Sequence, residues 1–507
     1  MKTIIKRVIS CIMVAVFSVL ILSRATDIMQ RKSSDYKYIP FFEHAEDIDV
    51  LFMGTSHVIN AVFPMELYND YGITSYNFGG HSNQLATTYW VMKNSLDYAK
   101  PKLMVIDCLA LEGMQKTSSN FSYVHLSLDT FPLSTTKVSA VNDLLEDEEI
   151  DRLINEGTIT ETEKRTKLGL LWDYSVYHTR WEENLGIGEF EPESTLEYGA
   201  ESRVQIAAPG QIANNPGTTF TNETVGMQYL RKMIEECQSN DIDVLLMYLP
   251  FPIGNENQWI SVNTVKNIAE EYNVNYINFQ EENVVDYSTD CFDPNSHLNP
   301  SGAWKVTDYL GKYITENYEI EDHRGDEKYS YWNDDYVTYE NMKNNRLGGI
   351  QDLNTYLMLL EDSNYGYIMD IGDGTILKDS TTLALLKNKG VDVSQITDET
   401  KHIIVCGNVS EVIDSDISVD GSYGNIQIFF NDEGQYGAYY DSQELFVMNT
   451  DTLGLSEDRV RVFVFDMDKR TEIVDTGEFS IPRSLGLEER YPDQYGVTVL
   501  SSKATRQ

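Results

Sequence analysis

The sequence predicts an α/β protein in which a doubly wound, three-layer α/β/α domain precedes a smaller, β-rich α+β domain. Three observations support this fold class. Between residues 47 and 318, short apolar runs alternate with amphipathic helical patterns, which is typical of βαβ units. About 115 residues between Leu109 and Val225 interrupt that alternation and indicate a large insertion. After residue 348, strand-length runs follow one another with a single helical pattern at residues 382–389.

The first element is an apolar run at residues 8–23, which Lys2, Lys6 and Arg7 precede. This pattern is typical of a signal peptide or a signal anchor. No clear small-residue cleavage site follows the run, so residues 1–35 are predicted to be a membrane anchor. Basic residues flank the run on both sides and do not decide its orientation. The short N-terminal tail and the large domain that follows favour a single-pass protein of the cell membrane whose main domain is extracytoplasmic.

The predicted strands of the first domain are five apolar runs, at residues 49–54, 75–79, 102–107, 243–249 and 274–279. Helical patterns lie between them at residues 64–71, 85–99, 225–239 and 261–272, and a further helix runs from Asn299 to about residue 316. This rhythm predicts one parallel sheet with flavodoxin-like strand order, and ligands bind such sheets at the carboxyl edge.

The insertion, residues 110–224, is predicted to be a cap, because an insert after the carboxyl end of a strand usually overhangs the ligand crevice. Its YHTRW segment carries His178 and Arg180 as candidate substrate-binding residues, with a structural hydrogen-bonding pair as the alternative. The other predicted boundaries are a first domain at 45–318, a charged linker at 319–347, a β-rich domain at 348–485 and a tail at 486–507.

Charge and cysteine content narrow the range of functions. The net charge is −41, from 39 Lys and Arg against 80 Asp and Glu, and such a chain repels the phosphates of nucleic acids. The five cysteines lie far apart, without the CxxC or HxxxH spacing of a zinc site. We therefore predict no metal and no cofactor, and the pairing of the cysteines stays open.

Two motifs follow the first two strands, at the edge where ligands bind. In GTSH the strand ends at Gly54 and presents Ser56 as a candidate nucleophile, although a helix-capping serine gives the same pattern. The second strand leads into GGHSN, where Gly79, Gly80 and Ser82 could direct N–H groups at an oxyanion. The alternative is an ordinary turn in which the glycines only relieve strain.

A third motif, DCFDPNSHLNPSG, spans residues 290–302 and leads into the last helix of the first domain. His297 could accept the proton of Ser56, and Asp293 could hold the imidazole in the productive tautomer. A histidine in a loop is more often merely solvated. This one closes a domain that already offers a strand-end serine and a glycine turn, which favours a triad.

In this order the three motifs resemble the SGNH or GDSL-like hydrolase family, with a first-block serine, a second-block oxyanion donor and a final D-x-x-H-L-N block. The resemblance covers roughly residues 47–318 and implies a serine esterase or acyltransferase on a three-layer α/β/α fold. Two departures are visible. Asp293 precedes His297 by four residues rather than three, so Asp290 or a backbone carbonyl could replace it. The run VIDCLALEG lacks the asparagine that follows the third strand in the family, which leaves the second oxyanion donor unassigned.

The anchor, the insertion and the YHTRW segment also look like the DltD- and AlgJ-like proteins of bacterial envelopes. Those proteins assist acyl or D-alanyl transfer to surface polymers, often beside a membrane-bound O-acyltransferase. Residues 348–481 faintly resemble an ILEI-type lectin-like domain through LALLKNKGVD and RVRVFVFDMDKRTEIVDTGEFS. These resemblances imply a surface glycopolymer or acylated carbohydrate as substrate and a membrane-bound O-acyltransferase as partner. The alternative is an inactive glycan-binding or accessory protein of such a system.

Overall fold

The structure is a computed structural model that describes residues 2–29, 39–159, 166–172, 174–183, 197–294, 297–407 and 409–415. Nearer the C terminus it describes residues 422–423, 426–430, 435–440, 443–449, 458–467, 473–480, 500, 502 and 504–506.

Helix α1, Lys2–Met29, is the apolar element that the sequence predicts at the N terminus. Its stretch Ile4–Thr26 has 23 residues and a mean hydropathy of 2.3. A helix of that length measures about 34 Å, which exceeds the roughly 30 Å hydrocarbon core of a bilayer. The side chains of residues 4–24 are exposed, and only the last turns, from Ala25 on, are partly covered. The helix is thus long and apolar enough to cross a membrane, as an anchor or as a signal sequence.

The first folded domain is built on a parallel sheet with the strand order β2-β1-β3-β4-β5. Its strands are β1 Val50–Gly54, β2 Ser75–Gly79, β3 Leu103–Asp107, β4 Asp243–Tyr248 and β5 Asn275–Asn278. This is the flavodoxin-like order, so the predicted fold class is confirmed. Gly54 lies opposite Gly79, and Met53 lies opposite Ile106, so the carboxyl ends of the first three strands are level with one another.

Helices cover both faces of this sheet. Before the insertion they are α2 Ile39–His44, α3 Ser56–Ala61, α4 Pro64–Tyr71 and α5 Leu85–Ser95. The insertion contributes α6 Phe121–Leu128, α7 Thr135–Leu144, α8 Asp147–Asn155, α9 Thr166–Leu171 and α10 Tyr174–Tyr177. After it come α11 Val225–Ser239, α12 Glu256–Tyr272, α13 Phe279–Glu282 and α14 Pro300–Asn317.

Two helix ends differ by four or more residues from the predicted ones, and each has a local cause. Helix α5 stops at Ser95, four residues early, where the Ser95 hydroxyl donates to the Met92 carbonyl at 2.7 Å and competes with the helical pattern. Helix α12 begins at Glu256, five residues early, because the Asn255 side chain accepts the Gln258 N–H at 3.0 Å and caps the first turn.

The core of the domain lies in two layers, one on each side of the sheet. Along β1, Leu51 and Met53 enter one apolar cluster, whereas Val50 and Phe52 enter the other. This alternation follows from the two-residue period of a strand. Both faces of β1 are apolar because both are covered by helices, which is why the sequence shows a continuous apolar run there.

The predicted linker at 319–347 contains a packed helix, α15 Ser330–Leu347. Trp332 is fully buried there, with its ring 5.1 Å from that of Tyr68 and 4.3 Å from that of Tyr198. The Lys343 ammonium lies 2.6 Å from carboxylate oxygens of both Glu66 and Asp362. The helix gave no apolar periodicity in the sequence because, besides Leu347, its buried residues are tryptophan, tyrosine and the charged Glu340 and Lys343.

Among the residues that the structure describes, the second folded domain contains two α-helices and two antiparallel sheets. Its helices are α16 Leu353–Leu359 and α17 Ser380–Asn388. Its strands are β6 Tyr365–Ile371, β7 His402–Cys406, β8 Val409–Ile413, β9 Ser422–Tyr423, β10 Ile426–Phe430, β11 Gln435–Tyr440, β12 Gln443–Asn449, β13 Arg459–Asp466, β14 Ile473–Ser480 and β15 Thr505–Arg506.

The larger of these sheets has the order β15-β14-β13-β6-β7-β8, and the smaller has the order β12-β11-β10-β9. The predicted β-rich character of the domain is confirmed. The predicted tail at 486–507 supplies β15, whose Arg506 pairs with Phe479 of β14. The chain therefore returns to the sheet at its end instead of leaving it.

Candidate active site

Ser56 lies at the first helical position of α3, directly after the turn that ends β1. The turn is tight: a Cβ on Gly54 would lie 2.6 Å from the Val58 side chain and 2.9 Å from Asp107 Cβ. A larger residue at position 54 would therefore force these neighbours apart. The Thr55 hydroxyl accepts the His57 N–H at 3.2 Å and caps α3, so Thr55, rather than Ser56, is the capping residue. The Ser56 hydroxyl is left half-buried at the carboxyl edge of the sheet.

The partner of this hydroxyl is His297, 241 positions later in the chain. Ser56 Oγ and His297 Nε2 are 2.7 Å apart, and His297 Nδ1 contacts Asp293 Oδ2 on its other side. A carboxylate accepts a hydrogen bond from Nδ1–H, which leaves Nε2 as an acceptor for the serine proton. The four-residue separation of Asp293 and His297 does not prevent this contact, and Asp293 Oδ1 also accepts the His297 N–H at 3.4 Å.

The loop that carries His297 is fixed at its base by Asp290, the alternative acid considered from the sequence. Asp290 is fully buried and accepts from the Lys305 ammonium at 2.9 and 2.8 Å, so it is engaged away from His297. Within the loop, the Phe292 N–H donates to the His297 carbonyl at 2.8 Å. Asn299 then caps α14 by accepting the Gly302 N–H at 3.2 Å. Residues 295 and 296 of the motif lie outside the described residues.

His57 forms a wall of the site beside the imidazole of His297. The two rings are 5.2 Å apart, and the Phe251 ring meets His57 edge-on at 4.8 Å. Burial lowers the pKa of His57 well below its ordinary value, and the neighbouring His297 lowers it further. A neutral His57 adds no charge that would oppose the formation of an imidazolium at His297.

The three residues predicted as oxyanion donors lie in the turn after β2. The Gly79 N–H donates to Asn77 Oδ1 at 3.0 Å, and the Gly80 N–H donates to the Gly54 carbonyl at 3.1 Å. The Gly80 N–H thus holds the turn against β1, whereas the Gly79 N–H is engaged within β2 by the Asn77 side chain. Ser82 is exposed and has the left-handed φ of 50°. Asn77 supports the turn further, since its amide donates to the Val58 and Val62 carbonyls at 2.7 and 2.8 Å.

Two other donors at the same place have no acceptor among the described residues. One is the backbone N–H of Ser56, which heads α3. The other is the side-chain amide of Asn83, which is 3% exposed and whose Nδ2 has no hydrogen-bond partner there. Nδ2 packs against Gly80, 2.0 Å from where a Cβ would stand. The Ser127 hydroxyl donates to Asn83 Oδ1 at 2.9 Å and fixes which way the amide points.

Asp107 ends β3 on the other side of the Gly54 turn. Its Oδ1 accepts the Leu249 N–H at 3.4 Å, whereas Oδ2 is buried and has no hydrogen-bond partner among the described residues. Burial raises the pKa of this carboxyl to about 7, although the backbone N–H groups around it act in the opposite direction. An acid of this pKa is partly protonated at neutral pH.

The predicted substrate-binding pair lies in the insertion, in the 3₁₀ turn His178–Glu182. Arg180 is buried and donates from Nη1 to the Met29 carbonyl at 2.8 Å, at the end of α1. Its Nε donates to Glu183 at 3.0 Å. His178 is exposed, and its Nδ1 lies 3.1 Å from the Ser175 carbonyl. Arg180 therefore makes structural hydrogen bonds, which was the alternative considered from the sequence. A substrate-binding role for His178 and Arg180 stays a prediction.

Sequence reasoning did not single out His57, Asn77, Asn83 or Asp107. Each of the four lies inside or next to one of the predicted motifs. The only sequence signal for them is that each is a polar residue at a strand end or beside a glycine turn. The orientation of these side chains depends on contacts with distant segments, such as that of Ser127 with Asn83, which no motif reveals. A described cavity of about 540 Å³ lies between Glu112 and Asn257 and is lined by none of the predicted site residues.

Comparisons with known proteins add little to this geometry. No protein-family model matches the chain, and no curated protein matches it. Among solved structures, the chain is similar to the crystal structure of a "putative acylhydrolase" from Bacteroides fragilis NCTC 9343. The two are 11% identical, with a TM-score of 0.27, over 56% of this chain and 99% of that one. A likeness at this level says nothing about residues or reaction.

Proposed function

We propose that this chain is a membrane-anchored, extracytoplasmic serine esterase or O-acyltransferase of the SGNH type. One observation carries the proposal. The Ser56 hydroxyl lies 2.7 Å from His297 Nε2 at the carboxyl edge of a parallel sheet, and Asp293 contacts the other ring nitrogen. A nucleophile, a base and a group that orients the base in this arrangement are the elements of covalent acyl transfer.

In the proposed reaction, Ser56 Oγ attacks the carbonyl carbon of an ester while His297 takes the hydroxyl proton. The tetrahedral intermediate then breaks its bond to the leaving alcohol, to which His297 returns the proton. Water or a sugar hydroxyl attacks the acyl-serine in the second half, with His297 as the base again, and the free serine is restored. Asp293 stabilises the imidazolium that forms in each half.

The developing oxyanion needs donors that are already in place. The Ser56 N–H and the Asn83 amide are the donors we assign, since the Gly79 and Gly80 N–H groups are already engaged. Asn83 would fill the role that the sequence left without a residue after the third strand. In serine hydrolases the loss of one such donor lowers kcat by about 10²–10³-fold.

The proposed setting is the cell envelope. Helix α1 would keep the protein at the membrane, and the substrate would be an acylated surface glycopolymer, with a membrane-bound O-acyltransferase as partner. The resemblance to DltD- and AlgJ-like proteins and the ILEI-type resemblance of the second domain motivate these assignments. The net charge of −41 is compatible with an extended polymer substrate but does not select one.

Labelling of the full chain with a fluorophosphonate tests the proposal. We expect a covalent adduct on the peptide that contains Ser56, no adduct in Ser56→Ala, and an undiminished adduct in Ser239→Ala, which changes an exposed serine of α11. On an aryl ester, Ser56→Ala and His297→Ala should each lower kcat by roughly 10⁴-fold or more, and Asp293→Ala by less. A folded wild-type chain that takes up no label would exclude a serine mechanism.

A second function is favoured by one observation, namely that two of the predicted oxyanion N–H groups are already engaged. In this alternative the first domain is inactive and the protein is a glycan-binding or accessory component of a polymer-acylation system. This alternative predicts that Ser56→Ala binds a surface polymer as strongly as the wild type does. Turnover in the labelling and ester assays would exclude it.

A further inference from the structure

The last turn of α1, the proposed membrane anchor, packs on the insertion. Arg180 donates to the Met29 carbonyl at 2.8 Å, and the carbonyl groups at the end of a helix are the ones that have no partner within it. Helix α1 also contacts α10 and the 3₁₀ turn His178–Glu182. This part of the insertion is therefore held where α1 ends.

Residues 168–172 and 174–181, here called the docking segment, expose apolar side chains at this place. Its large exposed residues are Leu168, Trp172, Val176 and Trp181, at 44%, 41%, 41% and 64% of their surface. Outside α1, nine large apolar residues are exposed in the part of the chain that the structure describes, and four of the nine fall within these 13 described positions. Of the six tryptophans, only these two are exposed. Chance scatter does not account for such a concentration beside the end of the anchor.

The chemistry of the segment fits the surface of a lipid bilayer. Tryptophan and tyrosine concentrate at the boundary between headgroups and acyl chains, where an apolar ring with a polar edge is stable. Tyr174 stacks on Trp172 with ring centroids 5.7 Å apart and extends the aromatic surface. A chain with a net charge of −41 gains nothing from anionic lipids, so the attraction must come from this apolar and aromatic contact.

The docking segment is also linked to the candidate site through α6. Tyr177 donates to Asp129 at 3.1 Å, just beyond the end of α6, and a Cβ on Gly169 would meet His125 of that helix at 3.5 Å. From the same helix Ser127 donates to Asn83 in the turn after β2. Packed helices lie about 8–10 Å apart, so little more than one helix separates the segment from that turn.

We propose that the docking segment lies on the bilayer surface from which α1 emerges, with Trp172 and Trp181 at the level of the lipid headgroups. The segment and α1 together form a two-point attachment that holds the Ser56 site at a fixed height above the membrane. This inference rests on the proposed membrane anchoring of α1, but not on the proposed chemistry of Ser56.

Tryptophan quenching by brominated lipid tests the inference on the full chain. Helix α1 contains no tryptophan, so any quenching in phosphatidylcholine vesicles reports contact between lipid and the rest of the protein. With bromine near the headgroup end of the acyl chain, we expect the wild type to lose up to about one third of its emission, the share of two tryptophans in six. The double substitution Trp172→Phe and Trp181→Phe should remove this quenching.

The matched control is Trp259→Phe, which changes a half-buried tryptophan of α12 and should leave the quenched emission unchanged. Two results would overturn the inference. One is quenching that persists in the double variant, and the other is an unquenched wild type that nevertheless floats with the vesicles. A cross-link between two chains through the segment without quenching would indicate a second copy as the occupant instead. Chains that fail to float would refute the anchoring and the inference together, whereas failed fluorophosphonate labelling with intact quenching would refute only the proposed reaction.

Discussion

At the residue scale, the Gly54 turn has a buried, ionisable neighbour that the proposed reaction does not require. Asp107 has one carboxyl oxygen without a hydrogen-bond partner among the described residues, and burial raises its pKa to about 7. The ordinary pKa of an aspartate is about 3.9, so the folded chain binds this proton more tightly than the unfolded chain does. The group therefore causes no loss of stability below about pH 4, a growing loss as the pH rises toward 7, and a constant loss above that.

We therefore predict that Asp107→Asn, which keeps the shape and removes the charge, gains stability relative to the wild type as the pH rises. The difference in unfolding free energy should increase by roughly 2–3 kcal/mol between pH 5 and pH 8. Denaturant titration of the full chain in detergent at both pH values measures it. The control is Asp151→Asn on the exposed face of α8. An equal difference at pH 5 and pH 8 would show that Asp107 carries its charge in the folded state.

At the scale of elements, the loop that carries His297 is braced by the second domain. Lys305 of α14 bridges Asp290 of the loop and Glu361, which follows α16, with 2.8 Å to each carboxylate. The Ser301 hydroxyl also donates to Glu361 at 2.6 Å. Burial raises the pKa of Glu361, and Lys305 opposes that shift. The contact between the domains thus lies a few residues from the base of the candidate triad.

We predict that Glu361→Gln loosens this brace and lowers kcat of the esterase reaction with little change in KM, because the position of His297 affects the transition state more than substrate binding. The unfolding free energy should fall by about 1–3 kcal/mol, because one hydrogen-bonded partner of the partly buried Lys305 loses its charge. Glu316→Gln, on an exposed position of α14, is the control. Active-site titration distinguishes the two causes of a lower rate. If the number of active sites falls in proportion to the rate and kcat per active site is unchanged, Glu361 acts on folding alone.

The same elements show what the sequence could and could not predict. The five strands and the order of the motifs were predictable, because buried parallel strands are continuous apolar runs and polar residues mark their carboxyl ends. Helix α15 was not predictable, since besides Leu347 its buried residues are aromatic or charged, and Lys343 is paired with carboxylates distant in sequence. The meeting of Ser56 with His297 was a hypothesis from motif order, whereas the engagement of Gly79 and Gly80 depends on hydrogen bonds that no spacing reveals.

At the scale of the whole molecule, the proposed anchoring by α1 requires that the folded domains lie on one particular side of the membrane. Basic residues flank the apolar run at Lys6 and Arg7 on one side and at Arg24 on the other, so charge alone does not orient α1. The structure packs the last turn of α1 on the insertion, so both folded domains and Ser56 lie on the side where α1 ends. A domain of this size is translocated largely regardless of flanking charge, which favours a cytoplasmic N terminus.

The native cysteines allow a clean test of this orientation. Cys108, Cys237, Cys291 and Cys406 are buried, and Cys11 lies in the apolar stretch of α1, so a membrane-impermeant maleimide should label the wild type poorly in intact cells. We predict that Ser239→Cys, on an exposed position of α11, is labelled in intact cells, and that Thr3→Cys is labelled only after permeabilisation. The reverse pattern would place the Ser56 site in the cytoplasm, where no surface glycopolymer could reach it, and the proposed substrate would have to be abandoned even if the serine reacts.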